Sequence, residues 1–340
     1  MRTQAGNGRF RGRSDAAREC YVLTGGTSGI GRGVVARLLA DLPDRRIILL
    51  ARSSPRVDHL RALPGANERL IVVNGNLASL RSVDLACDKV VSIVGSDPIE
   101  VLGLNAGVQV VRGNASSADG LELSFAVNFL AHFLIVERLK GLLRPGGRIV
   151  ITSSEVHDPD AFCLMGIGRA RWQDPLLLAD PKRSQDHVPS LVDRGEARYC
   201  ASKLLCLMYV RHLARVLPDI GVMAFNPSVV PGTEIGRDRN WLQQLAWKYV
   251  MPLLTPLLPG ARSLNQSVSD LLWLLTEADG RRLSGHYVDG RLARSGSEDS
   301  RDQVKIARTV EVAYSTLAHA LASTRSEAHK RPSQLSPVTG

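Results

Sequence analysis

Residues 21–33 read Tyr-Val-Leu-Thr-Gly-Gly-Thr-Ser-Gly-Ile-Gly-Arg-Gly. A short apolar run of strand length comes first, and an amphipathic helix pattern follows the last glycines. Gly25, Gly29 and Gly31 lie where the absence of a Cβ lets a backbone turn tightly and approach a pyrophosphate. The stretch predicts a strand, a phosphate loop and a helix whose N-terminus faces an anion. A glycine-rich turn before any helix looks similar, so the rest of the chain has to decide.

Length and composition favour one large α/β domain. The chain has 340 residues, 44% of them hydrophobic, and a formal net charge of +10. Such a chain can bury a sizeable core. The excess arginines are spread over the chain and accompany no nucleic-acid-binding module, so we expect no nucleic-acid partner. A polyanionic cofactor is a simpler use of the charge.

The sequence shows no sign of export or membrane insertion. No stretch reaches the roughly 18 apolar residues that a membrane span requires, and residues 1–18 lack the apolar segment of a signal peptide. We therefore expect a cytoplasmic protein. The five cysteines are scattered and have no spacing typical of a metal site, so we expect reduced thiols and no bound metal.

Apolar runs of strand length alternate with helical segments. The alternation predicts a doubly wound Rossmann fold with a seven-stranded parallel sheet and helices on both faces. We expect one domain over residues 19–325, between a basic tail at 1–18 and a flexible tail at 326–340. The predicted strands are residues 20–24, 46–51, 70–74, 99–104, 147–152, 220–225 and 284–288.

Two segments fall outside this alternation. Residues 155–198 form a polar insertion too long for a plain connection, and we expect an active-site flap. Residues 240–259 look like an apolar-faced helix broken by prolines. Core packing is the simplest interpretation of the second segment. A substrate lid and a peripheral membrane contact are the alternatives.

Arg52 follows the second predicted strand, where a dinucleotide fold contacts the adenosine ribose. NAD-selective sites carry a carboxylate there, whereas this chain has Leu50-Ala51-Arg52-Ser53. The guanidinium favours NADPH because it can form charge-assisted bonds with the 2′-phosphate. An ordinary exposed arginine is the alternative. Arg32, just inside the first helix, is a second candidate phosphate contact.

Polar and small residues also follow the next two strands. Asn76 and Leu77 come after the third strand, and Asn105, Ala106 and Gly107 come after the fourth. The carboxyl ends of parallel strands are where open α/β sheets bind ligands. Their register with the glycine loop places them beside the expected cofactor.

Tyr199 and Lys203 lie four residues apart in a segment, 198–217, with helical apolar spacing. Their side chains share one helix face about one turn apart. A cation there favours the phenolate and lowers the tyrosine pKa from ~10 toward a value useful at neutral pH. Ser153 and Ser154 end the fifth strand, and only one is expected to enter the site because strand neighbours face opposite sides.

Together these motifs resemble the short-chain dehydrogenase/reductase family over about residues 19–290. The matching elements are Thr24-Gly-Gly-Thr-Ser-Gly-Ile-Gly31, Asn105-Ala-Gly107, Asn128, Ser154 and Tyr199-Cys-Ala-Ser-Lys203. The resemblance implies that Tyr199 is the general acid or base and that Ser154, rather than Ser153, polarises the substrate carbonyl. It also implies that Lys203 holds the nicotinamide ribose and tunes Tyr199, and that Asn128 supports a proton-relay water.

The resemblance also implies a set of residues that bind NADPH or NADP+. Besides Tyr199 and Lys203 they are Gly25, Thr27, Ser28, Gly29, Ile30, Gly31, Arg32, Arg52, Asn76, Leu77, Asn105, Ala106, Gly107, Pro227, Val230 and Thr233.

A narrower likeness lies within the family. Residues 119–133, the long 155–198 segment and Pro231-Gly-Thr-Glu-Ile235 are similar to the branch of retinol dehydrogenases and light-dependent protochlorophyllide oxidoreductases. Ser284-Gly-His-Tyr-Val288 and a predicted helix at 302–322 are similar to protochlorophyllide reductase-like members, bacterial homologues included. The resemblance implies a monomer or a homodimer.

Three positions depart from the family pattern. Asn76 replaces an aspartate near the adenine, which keeps an acceptor and loses a charge. Ser228 replaces the glycine of a Pro-Gly pair after the sixth strand, a change expected to reshape the nicotinamide loop. Val229 stands where chlorophyll-pathway enzymes have a cysteine, so photochemical reduction of protochlorophyllide is not expected.

The sequence therefore predicts an NADPH-dependent reductase of a small-molecule carbonyl compound. A bulky apolar or polycyclic substrate is expected because residues 229–262 are rich in Leu, Trp and Val. Reduction of an activated C=C bond is one alternative, and a non-catalytic NADP(H)-sensing interaction protein is another. We expect His132 and His157 to be packed or surface residues, and Cys200 and Cys206 to be small apolar fillers.

Overall fold

The computed structural model describes residues 19–110, 114–160, 172–231 and 260–329. Within these residues a single sheet has the strand order β3-β2-β1-β4-β5-β6-β7-β8. Each pair from β1 to β7 is parallel. The strands are β1 (Cys20–Thr24), β2 (Arg46–Ala51), β3 (Leu70–Asn74), β4 (Ile99–Leu104), β5 (Leu143–Thr152), β6 (Gly221–Asn226), β7 (Tyr287–Asp289) and β8 (Leu292–Arg294).

The predicted seven-stranded parallel sheet is wrong in one respect, because the described sheet has eight strands. β8 pairs antiparallel with β7, and Gly290, with a φ of 61°, lies in the turn that returns the chain. All three residues of β8 are exposed, so no buried apolar run marks this strand in the sequence.

Helices cover both faces of the sheet. One hydrophobic core lies between the sheet and helices α4, α5, α7 and α10. The other lies between the opposite face of the sheet and helices α1, α2 and α8. The helices are α1 (Gly29–Asp41), α2 (Pro55–Arg61), α3 (Ala66–Arg69), α4 (Leu80–Val94), α5 (Ala131–Leu139), α6 (Pro175–Ala179), α7 (Leu191–Val216), α8 (Leu264–Thr276), α9 (Gly280–Leu283) and α10 (Gln303–His329).

The central strands show why their sequence is almost continuously apolar. Ile47 and Leu49 belong to one core and Ile48 to the other, and all three side chains are fully buried. Successive strand residues face opposite sides. A strand covered by helices on both faces therefore has to be apolar at every position.

Helix α7 begins earlier than the sequence predicts. The side chain of Ser190 accepts a hydrogen bond from the Asp193 amide at 3.4 Å and starts the helix at Leu191. The last part of the predicted 155–198 flap is therefore regular helix. Arg198 holds the preceding turn through hydrogen bonds to the Ser184 and Pro181 carbonyls.

Several predictions fall on residues that the structure does not describe. They concern the tail at 1–18, the middle of the flap at 161–171, the 240–259 segment, Thr233 and the end of the chain at 330–340. Helix α10 continues to His329, beyond the predicted end at 322. Among the described residues, no helix has the length and apolar character needed to cross a membrane.

Candidate active site

The glycine loop after β1 lies directly against the loop after β4. Gly25 has a φ of 71°, and a Cβ at this position would lie 2.7 Å from the Ala106 Cα and backbone nitrogen. A side chain at Gly25 would therefore have to displace backbone atoms. Asn105, Ala106 and Gly107 thus border the predicted phosphate loop.

The N-terminus of α1 has the form of an anion site. Ser28 is the N-cap, its side chain makes no capping hydrogen bond, and the first turn contains no acidic residue. The amides of Gly29, Ile30 and Gly31 are therefore not taken up by a side-chain cap and are placed to bind an anion. Thr27 precedes this turn, and Arg32 within it is exposed.

Arg52 directly follows β2, the strand that pairs with β1. Its side chain is exposed and makes no hydrogen bond or ion pair with any of the described residues. A free guanidinium at this point suits an anionic group on the adenosine end of a dinucleotide. The glycine cradle, the uncapped helix and these two arginines fit NADP(H).

Asn76 uses its side-chain oxygen within its own turn. Oδ1 accepts a hydrogen bond from the Ala78 amide at 3.2 Å, and the Asn76 amide donates to Ser82 Oγ at 3.0 Å. The side-chain NH2 group donates to none of the described residues and can serve a ligand. Leu77 beside it packs partly buried against the core.

Ser153 and Ser154 point to different surroundings. Ser153 is buried and its Oγ donates to the Lys203 carbonyl at 2.9 Å. Ser154 lies near enough to the Tyr199 side chain to lower the tyrosine pKa against the larger effect of burial. The structure therefore brings Ser154, and not Ser153, to the tyrosine hydroxyl.

Tyr199 and Lys203 are both buried on α7. The Lys203 ammonium lies 5.7 Å from the centroid of the Tyr199 ring and donates to the Thr152 carbonyl at 2.8 Å. Burial raises the pKa of Tyr199 and lowers the pKa of Lys203. The predicted net lowering of the tyrosine pKa is wrong for this structure, because exclusion from water disfavours the phenolate and outweighs the other contributions.

Asn128 holds the loop that follows Gly107. It lies in a π-helical turn, Phe125–Leu130. Its Oδ1 accepts from the Val108 amide at 2.7 Å, and its Nδ2 donates to the Val108 carbonyl at 3.0 Å and to Ser202 Oγ at 2.9 Å. The carboxamide thus acts as a clamp between this loop and α7.

His132 links Asn128 to Thr24 at the end of β1 and, through Thr24, to the loop after β4. This role is not predicted from the sequence. Nδ1 of His132 lies 3.0 Å from the Asn128 carbonyl, and its Nε2 lies 3.1 Å from Thr24 Oγ1, which accepts from the Ala106 amide at 3.2 Å. Since a carbonyl only accepts, Nδ1 carries the proton. Burial lowers the pKa of His132 to about 3, so the ring is neutral. The only indication of this role in the sequence is that the histidine stands four residues after Asn128.

A stability measurement tests this neutral ring. The pKa of His132 is lowered from 6.5 in the unfolded chain to about 3 in the fold. Between these two pH values the unfolded state binds more protons than the folded state, so acid destabilises the fold. We expect the stability gap between wild type and His132→Gln to shrink by about 2 kcal/mol between about pH 7 and about pH 5. Urea unfolding measures it. An unchanged gap, or the same change in the exposed-site control His59→Gln, would contradict this assignment.

The loop after β6 keeps glycine-like geometry despite its serine. Ser228 has a φ of 61°, and its Oγ lies 3.4 Å from Asp289 Oδ1. Ser228 thus keeps the left-handed backbone that glycine favours, so the change from glycine to serine does not by itself alter the loop backbone at this position. Pro227 accepts a hydrogen bond from Ser267 at 2.9 Å, and Val230 is buried.

Left-handed backbone is costly for serine. We expect Ser228→Gly to raise the free energy of unfolding by about 0.5 to 1 kcal/mol, less any contribution from the long Asp289 contact. Chemical denaturation measures the change. Ser54→Gly is the matched control, because Ser54 has an extended φ of −166° and no side-chain cap bond. Equal effects of the two substitutions would show that the conformation of Ser228 is not strained.

A cavity of about 660 Å³ opens at the carboxyl ends of β5, β6 and β7, and Glu155 and Asn226 are among the residues that line it. His157 contributes to its wall and holds its position through two bonds: Nδ1 to the Ser154 carbonyl at 2.7 Å, and Nε2 from the Ser297 amide at 3.1 Å. Burial lowers the pKa of His157. This second histidine therefore ties the Ser154 loop to the segment after β8.

Comparisons with known proteins agree with this arrangement. A family model described as short chain dehydrogenase matches residues 19–161. Short-chain dehydrogenase iccH from Talaromyces variabilis is 27% identical over 282 residues, which cover 69% of this chain and 76% of the relative. Retinol dehydrogenase 12 from Homo sapiens is 30% identical over 254 residues, covering 71% of this chain and 70% of the relative.

A solved structure shows the same fold. The short chain dehydrogenase from Burkholderia cenocepacia J2315 in complex with NADP superposes with a TM-score of 0.57 at 20% identity, covering 80% of this chain and 96% of that one. The chain described here is an oxidoreductase that belongs to the short-chain dehydrogenase/reductase family, and its relatives there include retinol dehydrogenases.

Proposed function

We propose that the protein is an NADP(H)-dependent reductase that acts on the carbonyl group of a bulky substrate. The observation that carries the proposal is the position of Ser154 beside the buried Tyr199, whose pKa it lowers, with the buried Lys203 one helical turn away on α7. Bound NADPH supplies the hydride for this chemistry. The remaining groups belong to the chain itself.

Ser154 and Tyr199 act on the substrate oxygen. The Ser154 hydroxyl donates a hydrogen bond to the carbonyl and increases its polarisation, and the Tyr199 hydroxyl delivers a proton as negative charge develops on that oxygen. Because burial raises the pKa of Tyr199, the phenol stays protonated at neutral pH. The acid form required for reduction is therefore the form that the site favours.

Lys203 supports the proton transfer. Its ammonium is fixed by the Thr152 carbonyl and stabilises the phenolate that remains after Tyr199 has lost its proton. Asn128 holds the loop after β4 in place through its two hydrogen bonds with the Val108 backbone. These two side chains position the acid, whereas Ser154 and Tyr199 contact the substrate.

The preference for NADP(H) over NAD(H) rests on charge. Arg52 is exposed and free of described partners at the end of β2, and no carboxylate takes its place in Leu50-Ala51-Arg52-Ser53. A guanidinium there attracts a 2′-phosphate and offers no acceptor for the ribose hydroxyl. Arg32 adds a second positive charge at the start of α1.

The proposal is tested with purified protein and a panel of ketones, aldehydes and quinones. We expect NADPH consumption with at least one bulky carbonyl compound, together with the corresponding alcohol. The absence of NADPH consumption across the panel, or consumption that Tyr199→Phe leaves unchanged, would contradict the proposal.

A further inference from the structure

The peptide that follows Ser154 is held at both ends by buried side chains. Its carbonyl belongs to Ser154 and accepts a hydrogen bond from His157 Nδ1 at 2.7 Å. Its amide belongs to Glu155 and donates to Asn226 Oδ1 at 3.2 Å. His157 and Asn226 are only 1% and 2% exposed, so both bonds form away from water, where they are stronger. Two residues from separate parts of the chain therefore set the plane of this one peptide.

The His157 ring is itself fixed from its far side. Its Nε2 accepts from the Ser297 amide at 3.1 Å, and the ring lies against that of Tyr287 with centroids 4.5 Å apart. A carbonyl only accepts and an amide only donates, so both bonds require the same neutral tautomer, with the proton on Nδ1. Burial lowers the pKa of His157 and favours this neutral form. The ring therefore joins the Ser154 carbonyl to the segment after β8 in one orientation.

Asn226 is fixed by several bonds of its own. Its Oδ1 accepts a second hydrogen bond, from the Ser228 amide at 3.0 Å, and its Nδ2 donates to Asp289 Oδ1 at 3.1 Å. Asp289 is in turn paired with Arg262 at 2.8 Å. One carboxamide thus connects the peptide after Ser154 to the start of the loop after β6, which carries two of the candidate cofactor residues.

These bonds hold the backbone of Ser154. The preceding residue is fixed as well, because the Ser153 amide donates to the Phe225 carbonyl at 2.8 Å and its hydroxyl donates to the Lys203 carbonyl at 2.9 Å. Ser154 has extended backbone, with a φ of −168° and a ψ of 157°. Since the residues on both sides are held, the Cα–Cβ bond of Ser154 keeps one direction, which leaves the side chain beside Tyr199.

We propose that His157 and Asn226 are positioning residues for the reductase reaction and act by fixing the peptide after Ser154. Each works through the placement of the Ser154 hydroxyl on the substrate carbonyl and not by contact with the substrate. The inference rests on the proposed function and adds two residues to it. Misplacement of a reacting group by about 1 Å lowers a rate by about 10²-fold. The loss should appear in kcat more than in KM, because polarisation counts most as charge develops on the oxygen.

Asparagine and glutamine separate the two bonds of His157. The side-chain nitrogen of asparagine reaches the place of Nδ1, and the side-chain oxygen of glutamine reaches the place of Nε2. His157→Asn therefore keeps a donor for the Ser154 carbonyl, whereas His157→Gln keeps an acceptor for the Ser297 amide, and both lack the ring. We expect kcat to fall about tenfold or more in His157→Gln and less than about threefold in His157→Asn, with KM within about threefold in both.

A double-mutant cycle shows whether the loss depends on the Ser154 hydroxyl. His157→Gln and Asn226→Ala are each introduced into wild type and into Ser154→Ala, and carbonyl reduction by NADPH is followed under single-turnover conditions, so that slow variants remain measurable. Without the hydroxyl no group is left to position, so we expect each substitution to lower the rate less than about twofold in the Ser154→Ala background. His286→Gln is the matched control, because the exposed His286 holds the Ser284 carbonyl at 3.1 Å before β7, and it should keep the wild-type rate.

The outcomes separate this inference from the proposed function. Rate losses that are equal in the two backgrounds for either His157→Gln or Asn226→Ala would overturn the inference alone, since a general loss of packing does not depend on the serine hydroxyl. Equal losses in His157→Asn and His157→Gln, or no loss in either, would also overturn it. A wild type that reduces no carbonyl compound of the panel would overturn the proposed function and, with it, the inference.

Discussion

Tyr199→Phe should lower kcat for carbonyl reduction by roughly 10²- to 10⁴-fold, the range that a positioned proton donor contributes. The substitution removes one oxygen atom from a buried ring and leaves the packing of α7 unchanged. Steady-state kinetics with the best substrate of the panel, and circular dichroism to confirm folding, measure the effect.

Tyr209→Phe provides a control on the same helix. Tyr209 is even more buried than Tyr199, and its hydroxyl donates to Glu137 at 3.0 Å. We expect this variant to retain kcat within a few fold. Similar kcat values for wild type and Tyr199→Phe would exclude the tyrosine as the acid.

Arg52→Asp should invert the cofactor preference. A charge-assisted hydrogen bond contributes roughly 1.5 to 3 kcal/mol, so Arg52→Ala should weaken NADPH about ten- to a hundredfold and leave NADH nearly unaffected. Aspartate adds repulsion from the 2′-phosphate and restores an acceptor for the ribose hydroxyl. The positive charge of Arg32, the second candidate phosphate contact, should limit how far the preference shifts toward NADH. Michaelis constants for both cofactors, at fixed salt, measure it.

The matched control removes the same charge elsewhere. Arg61 is an exposed arginine on α2 that pairs with Asp58 at 3.4 Å, and Arg61→Asp should affect both cofactors equally and weakly, through the long-range field alone. Equal Michaelis constants for NADPH in wild type and Arg52→Ala would show that Arg52 is only solvated surface.

The apolar runs at 20–24, 46–51, 70–74 and 99–104 coincide with β1 to β4. Most residues of β1, β2 and β4 are buried and apolar. The edge strand β3 is only partly buried, but its first four residues are apolar as well. β8 was missed because its three residues are exposed. The start of α7 was missed because its first turns are polar, and the Ser190 cap is a short signal among many serines.

The contacts that sequence analysis could not supply join residues far apart in the chain. Thr24 and His132 are 108 positions apart, and His157 and Ser297 are 140 apart. Local spacing placed Tyr199 and Lys203 on one helix face, but it carried no information on burial. The direction of the Tyr199 pKa shift was therefore wrong, since the shift depends on solvent exclusion by the whole fold.

Isotope transfer tests the central claim, reduction of a carbonyl group by this site, most directly. A bicyclic enone, which carries both a C=O and a C=C bond, is incubated with the enzyme and NADPH that carries deuterium at both hydrogen positions of the nicotinamide C4, and the product is examined by mass spectrometry and NMR. We expect an unsaturated alcohol with one deuterium on the carbinol carbon, formed by wild type and not by Tyr199→Phe. A saturated ketone with deuterium on the β-carbon, or a product without deuterium, would contradict carbonyl reduction.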